Sequence, residues 1–152
     1  MSTTASDGVA WTTRTTFSRS TRIAQHIDAD AATVWRLLTT AAEIPRWNST
    51  VVSLEGQIAL GSTIKLVSTL DPSRTFSLKI KEFEPNVRLT LGGGMFTRTC
   101  SLTGDAGGTR VVVVERIGGP FFPFVARMIP PLDENFEQSA ADLKKAAEAT
   151  AS

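Results

Sequence analysis

The sequence predicts an α+β fold: a curved antiparallel sheet of about seven strands wrapped around a long C-terminal helix, with two short helices after the first strand. Three observations carry this prediction. A strand-like alternation near the start gives way to helical spacing over residues 31–38. From residue 51 to 117, short alternating segments are separated by Gly, Pro, Asn and Asp turns. The end returns to helical period, with Leu132, Phe136, Ala140, Leu143 and Ala147 on one stripe.

The elements follow in order. Residues 1–16 read as a flexible polar arm, and residues 17–150 as a single ligand-binding domain. Ile23, Gln25 and Ile27 fall on one face of a half-buried strand. Asp28 and Asp30 offer N-cap chemistry to a helix carrying Val34, Leu37 and Leu38. A second short helix stops near Pro45 and runs into Arg46-Trp47-Asn48. About six strands then follow, of which Phe76, Leu78 and Ile80 mark the clearest alternation. Gly104 to Gly108 closes the last hairpin. Residues 121–129 are strongly apolar, and Pro130-Pro131 predicts a break before the final helix.

Composition excludes several classes. At 41% hydrophobic and 20% charged residues, the chain matches neither disordered nor membrane-spanning proteins. A net charge of +1 gives no pull toward nucleic acid, so none is expected as a partner. A single cysteine, Cys100, leaves no disulfide framework within one chain and no cysteine-based metal site. The Ser/Thr-rich start lacks the apolar run of a secretory signal, no stretch is long enough to span a bilayer, and a cytoplasmic location is expected. Gly92-Gly93-Gly94 lacks the strand-to-helix context of a phosphate loop, and no motif calls for a cofactor or a metal.

The element order is the helix-grip arrangement, and three stretches carry a family likeness. These are Ala31-Ala32-Thr33-Val34-Trp35-Arg36-Leu37-Leu38 leading to Ile44-Pro45-Arg46-Trp47-Asn48, the hairpin Gly107-Gly108-Thr109-Arg110-Val111, and Asn135-Phe136 with Asp142-Leu143-Lys144. With them the chain resembles the polyketide cyclase/dehydrase-like branch of the START and birch-pollen-allergen-like (SRPBCC) superfamily. That superfamily holds cyclases, lipid carriers and receptors, so fold alone does not fix function.

The resemblance implies a cavity between sheet and helix, and strand parity assigns its lining. Ile64, Leu66, Phe76, Leu78, Ile80, Leu89, Leu91, Phe96, Arg98, Val113 and Glu115 are expected from the sheet, and Leu132 and Phe136 from the helix. Phe121, Phe124 and Met128 are expected at the mouth, with Trp47 near the entrance. Such a lining suits an apolar ligand held by few polar groups.

Arg98 and Glu115 stand out, because parity turns both inward on neighbouring strands. They read as a structural ion pair, as a guanidinium grip on an acidic ligand, or as solvated side chains if a bulge reverses the parity. They are also the weak catalytic candidates. His26 shares a face with Arg22 and Ala24, away from the cavity, and reads as solvated. Cys100 reads as a small buried apolar residue.

The leading functional reading is binding of a lipid, isoprenoid, quinone or polyketide-like molecule, by a monomer or homodimer. One alternative is a polyketide cyclase or dehydratase acting by substrate shaping and light acid-base catalysis. Another is a protein-interaction module, which a cavity filled by its own Phe side chains would favour.

Overall fold

Local chemistry sets the helix boundaries. Asp30 adopts an extended backbone and its carboxylate accepts from the Thr33 N–H at 2.8 Å, which starts α1 (Ala31–Thr39). Val34, Trp35 and Leu37 are its buried residues. Pro45 sits in the first turn of α2 (Ile44–Trp47), where a missing N–H costs nothing. The computed structural model describes residues 7–151.

Strands β2 (Ser18–Ile27), β3 (Val51–Glu55), β4 (Thr63–Ser68), β5 (Phe76–Glu84), β6 (Arg88–Gly93), β7 (Phe96–Asp105) and β8 (Gly108–Gly118) join an additional β1 (Trp11–Arg14). All eight form one antiparallel sheet in the order β1-β2-β8-β7-β6-β5-β4-β3. The β7–β8 turn needs positive φ at Ala106 (49°) and Gly107 (81°), the conformation a tight hairpin requires. A register shift between Ile80 and Glu82 then turns Phe83 inward, where it meets Trp35 edge-on at 5.2 Å.

β1 corrects the expected arm. Residues 11–14 pair with β2, Trp11 opposite Arg22 and Arg14 opposite Arg19. The segment Trp-Thr-Thr-Arg carries no apolar alternation, since an edge strand buries little. Side chains hold it instead: Thr12 donates to Asp133 at 2.5 Å, and the Ala10 N–H donates to Glu137 at 2.9 Å. Residues 1–6 of the expected arm lie outside the described residues.

The apolar run after β8 forms a short helix, α3 (Phe122–Val125), and a 3₁₀ turn over Ala126–Met128. The chain breaks at Pro130-Pro131 and enters α4 (Asp133–Ala151). Phe136, Ala140, Leu143 and Ala147 are its buried stripe, laid across the concave face of the sheet. Arg19, only 2% exposed, donates to the carbonyls of Ile129 and Pro130 at 3.1 and 2.9 Å and so pins the entry to α4. Among the described residues no helix is long and apolar enough to cross a membrane.

Candidate ligand cavity

The sheet curves away from α4 faster than side chains fill the gap, leaving a cavity of about 130 Å³. Continuous register across β2, β8, β7 and β6 sets two rows behind it. Ile23, Val113, Cys100 and Leu89 of one row all reach the cavity, whereas in the next, Thr21, Glu115, Arg98, Leu91, only Arg98 and Leu91 do. Leu66 and Leu78 extend the wall, Ile44 and Trp47 close one side, and Phe136, Ser139, Ala140 and Leu143 of α4 cover it.

Arg98 is the lining cation. Its Nε and Nη2 donate to the same oxygen of Glu115 at 3.1 and 2.7 Å. Glu115 stands directly opposite on β8, and no bulge interrupts this ladder, which removes the solvated alternative. The Glu115 side chain is 5% exposed and that of Arg98 is 32% exposed. The guanidinium also lies 5.2 Å from the Phe136 ring, within cation–π range. The carboxylate therefore fixes a guanidinium that still faces the cavity.

The other lining polar groups are largely paired. Asn48 donates to Ser139 Oγ at 3.0 Å and accepts from the Thr50 N–H and hydroxyl at 3.0 and 2.6 Å. Next to it, the Ser49 N–H and hydroxyl both donate to Asp142 Oδ2, at 2.8 and 2.7 Å. These bonds button the α2–β3 junction to α4. Burial pushes the Asp142 carboxyl up, but Ser49, Gln138 and the Lys145 charge outweigh it and leave the group below its ordinary value. Gln25 is drawn to Asp7, its amide donating at 2.7 Å. The Cys100 thiol is pushed up to about 12 by burial, against the opposing charge of Arg98, so it stays protonated at neutral pH.

The sequence that folds into this sheet, grip helix and cavity matches a known family profile. The profile of the polyketide cyclase/dehydrase and lipid transport family covers residues 14–148. The chain belongs to this family. No curated protein matches its sequence. Solved structures share the fold at low identity. A Rhodobacter sphaeroides protein is 20% identical with a TM-score of 0.70, over 93% of this chain and 99% of that one. A conserved protein of unknown function from Enterococcus faecalis is 14% identical with a TM-score of 0.69, over 94% and 79% of the two chains. DynU16, from the dynemicin biosynthetic locus, is 20% identical with a TM-score of 0.64, over 86% of this chain and 47% of its own.

Of the residues expected in this family cavity, Trp47, Ile64, Leu66, Leu78, Leu89, Leu91, Arg98, Val113 and Phe136 line it. The others do not. Ile80 is fully buried in the main core, and Phe76 and Phe96 pack against that core from the side. Leu132 precedes α4 and joins a separate cluster with Ala10, Ile23 and Phe136. Glu115 lies beneath Arg98 rather than on the wall. Phe121, Phe124 and Met128 are 70%, 80% and 78% exposed and are not among the lining residues, since α3 turns only Phe122 inward.

The lining also includes Leu38, Ile44, Asn48, Val51, Leu54, Ile58, Asn135 and Ser139. Helical spacing marks Asn135 and Ser139, an i, i+4 pair on one flank of Phe136, as able to reach the cavity, although such polar side chains more often face water. Ile58 lies in a loop, where no period speaks.

His26 faces away from the cavity but is held rather than solvated. Its Nε2 lies 2.7 Å from Asp28 and its Nδ1 3.0 Å from Asp105. Hydrogen bonding to Asp28 first, then Asp105, raises its pKa above the ordinary 6.5. Among the described residues, no cluster of three or more His, Cys, Asp or Glu is placed to hold a metal.

Proposed function

We propose that this protein binds a small apolar molecule with an electron-rich oxygen, in the cavity between sheet and α4, with Arg98 holding that oxygen. The observation carrying this reading is the pairing of an apolar wall with, among the described residues, a single cation. Glu115 already balances the charge of Arg98, so a carbonyl, enol or enolate oxygen suits it better than a doubly charged phosphate. Size narrows the ligand further. A dry apolar cavity of about 150 Å³ accepts benzene, whereas drug-sized pockets span about 300–1,000 Å³. A cavity of about 130 Å³ therefore fits one ring with a short substituent. A longer lipid or polyketide chain requires α4 to part from the α2–β3 junction.

The family also includes cyclases and dehydrases. The titratable lining groups are Arg98 and Cys100, and the thiol is protonated. Chemistry here would rest on a guanidinium stabilising an enolate in a shaped space, so binding is the better supported reading. An interaction module is less favoured still, because Phe136 is the one phenylalanine on the wall and leaves the space open.

Mass spectrometry of the natively purified protein tests this. A stoichiometric small molecule bearing a carbonyl or enol oxygen, released on denaturation, is the expected result, with weakened binding in Arg98→Ala. No released molecule, together with no thermal shift from a panel of single-ring ketones and phenols, would overturn it.

A further inference from the structure

We infer that the indole N–H of Trp47 is a ligand-recognition donor, which makes the preferred ligand a single-ring molecule whose carbonyl-type acceptor it holds. This deepens the proposed function and rests on it. Trp47 lines the cavity from the last turn of α2. Its Nε1 is buried and has no hydrogen-bond partner among the described residues. A buried N–H without an acceptor is costly, and native structures rarely leave one so.

The polar groups on or behind the wall are engaged elsewhere. Asn48 spends its carbonyl on Thr50, Ser139 accepts from Asn48, and Glu115 is taken by Arg98. The unmet need beside this apolar space is therefore for an acceptor. An indole can only donate, so it discriminates a ketone or aldehyde from a hydrocarbon of the same shape. Polar sites reject analogues lacking the matching atom, because the donor is then left bare.

Acetophenone and α-methylstyrene form the test pair, since they differ only in C=O against C=CH2. Dissociation constants for both are measured with the full-length protein and with Trp47→Phe. Proton–nitrogen spectra of the wild-type protein, with indole signals assigned, follow the Trp47 N–H independently of any variant. One net neutral hydrogen bond predicts acetophenone binding about fivefold tighter in the wild type. The ratio of the two constants within each protein cancels the effect of the smaller ring on the cavity, and Trp47→Phe should lower that ratio by about fivefold, any remainder belonging to Arg98. The Trp47 N–H should move downfield with acetophenone alone.

Equal affinities in the wild type, or a preference undiminished in Trp47→Phe, overturn the inference while leaving the cavity reading intact. Failure of both probes to bind the wild type overturns the cavity reading and this inference together.

Discussion

Arg98 and Glu115 form an asymmetric pair, and removing one should not cost the same as removing the other. Loss of one member of a buried ion pair costs about 3–5 kcal/mol, because the remaining charge is stranded. Arg98→Met strands a carboxylate that is 5% exposed, with Arg19 the other cation acting on it. We expect a loss of about 3 kcal/mol, at the low end of that range. Glu115→Gln leaves a guanidinium that is 32% exposed and can turn to water, while the amide keeps one acceptor. The expected loss is about 1–2 kcal/mol. The double variant removes both charges and should resemble Glu115→Gln, giving a coupling of about 3 kcal/mol. Urea unfolding of the four proteins, with slopes compared, measures every corner. If Arg98→Met proves no worse than Glu115→Gln, or the coupling falls below about 0.5 kcal/mol, the pair is not an anchored guanidinium on a buried base.

Four further outcomes follow. Ala140 is 8% exposed and lines the cavity, so Ala140→Leu should fill it, adding about 1 kcal/mol after some strain and abolishing single-ring binding. Urea midpoints and probe titration check this, and destabilisation with binding intact counts against the assigned wall. Ser49→Ala should cost about 1 kcal/mol. Asp142 lies below its ordinary value, so its contribution is present above the unfolded pKa and is lost as pH falls through the folded one. Stability measured from pH 6 to 3 should therefore fall less steeply in Asp142→Asn. His26 carries the opposite sign: its raised pKa gives stability fully present below 6.5 and lost as pH rises through the folded value. Melting temperatures of His26→Ala should lose that alkaline slope, and an unchanged profile would show that the two carboxylates do not hold the ring.

The fold was legible where burial imposes a period. Phe76, Leu78 and Ile80 alternate because one sheet face is covered, and Phe136, Ala140, Leu143 and Ala147 recur because one helix face is. Parity carried across β7 and β8 as well, which placed Arg98 opposite Glu115. It could not separate wall from core, because both lie on the same face. Ile80 and Leu78 share parity, yet one seals the main core and the other borders the cavity. Nor could it read Trp11–Arg14, whose pairing is sustained by backbone bonds and by Thr12. The apolar run at 121–129 carries no period that says which of its side chains are covered. Hydrophobicity is not burial, and a one-turn helix can turn inward only one of its phenylalanines.

The stapling of β1 and the start of α4 has a kinetic consequence. Ala10 reaches Glu137 across 127 residues, Thr12 reaches Asp133 across 121, and Arg19 reaches Ile129 across 110. Contacts so distant in sequence form only after loop-closure entropy has been overcome, so they belong late in folding. The β3–β8 meander, built from neighbouring hairpins, can assemble first. Its concave apolar face stays open to solvent until β2 docks on β8 and α4 swings across. Closing the cavity thus rests on the contacts most distant in sequence, and its completion last is the expected order of folding. A hydrophobic molecule present at that moment can be enclosed without ever passing an entrance.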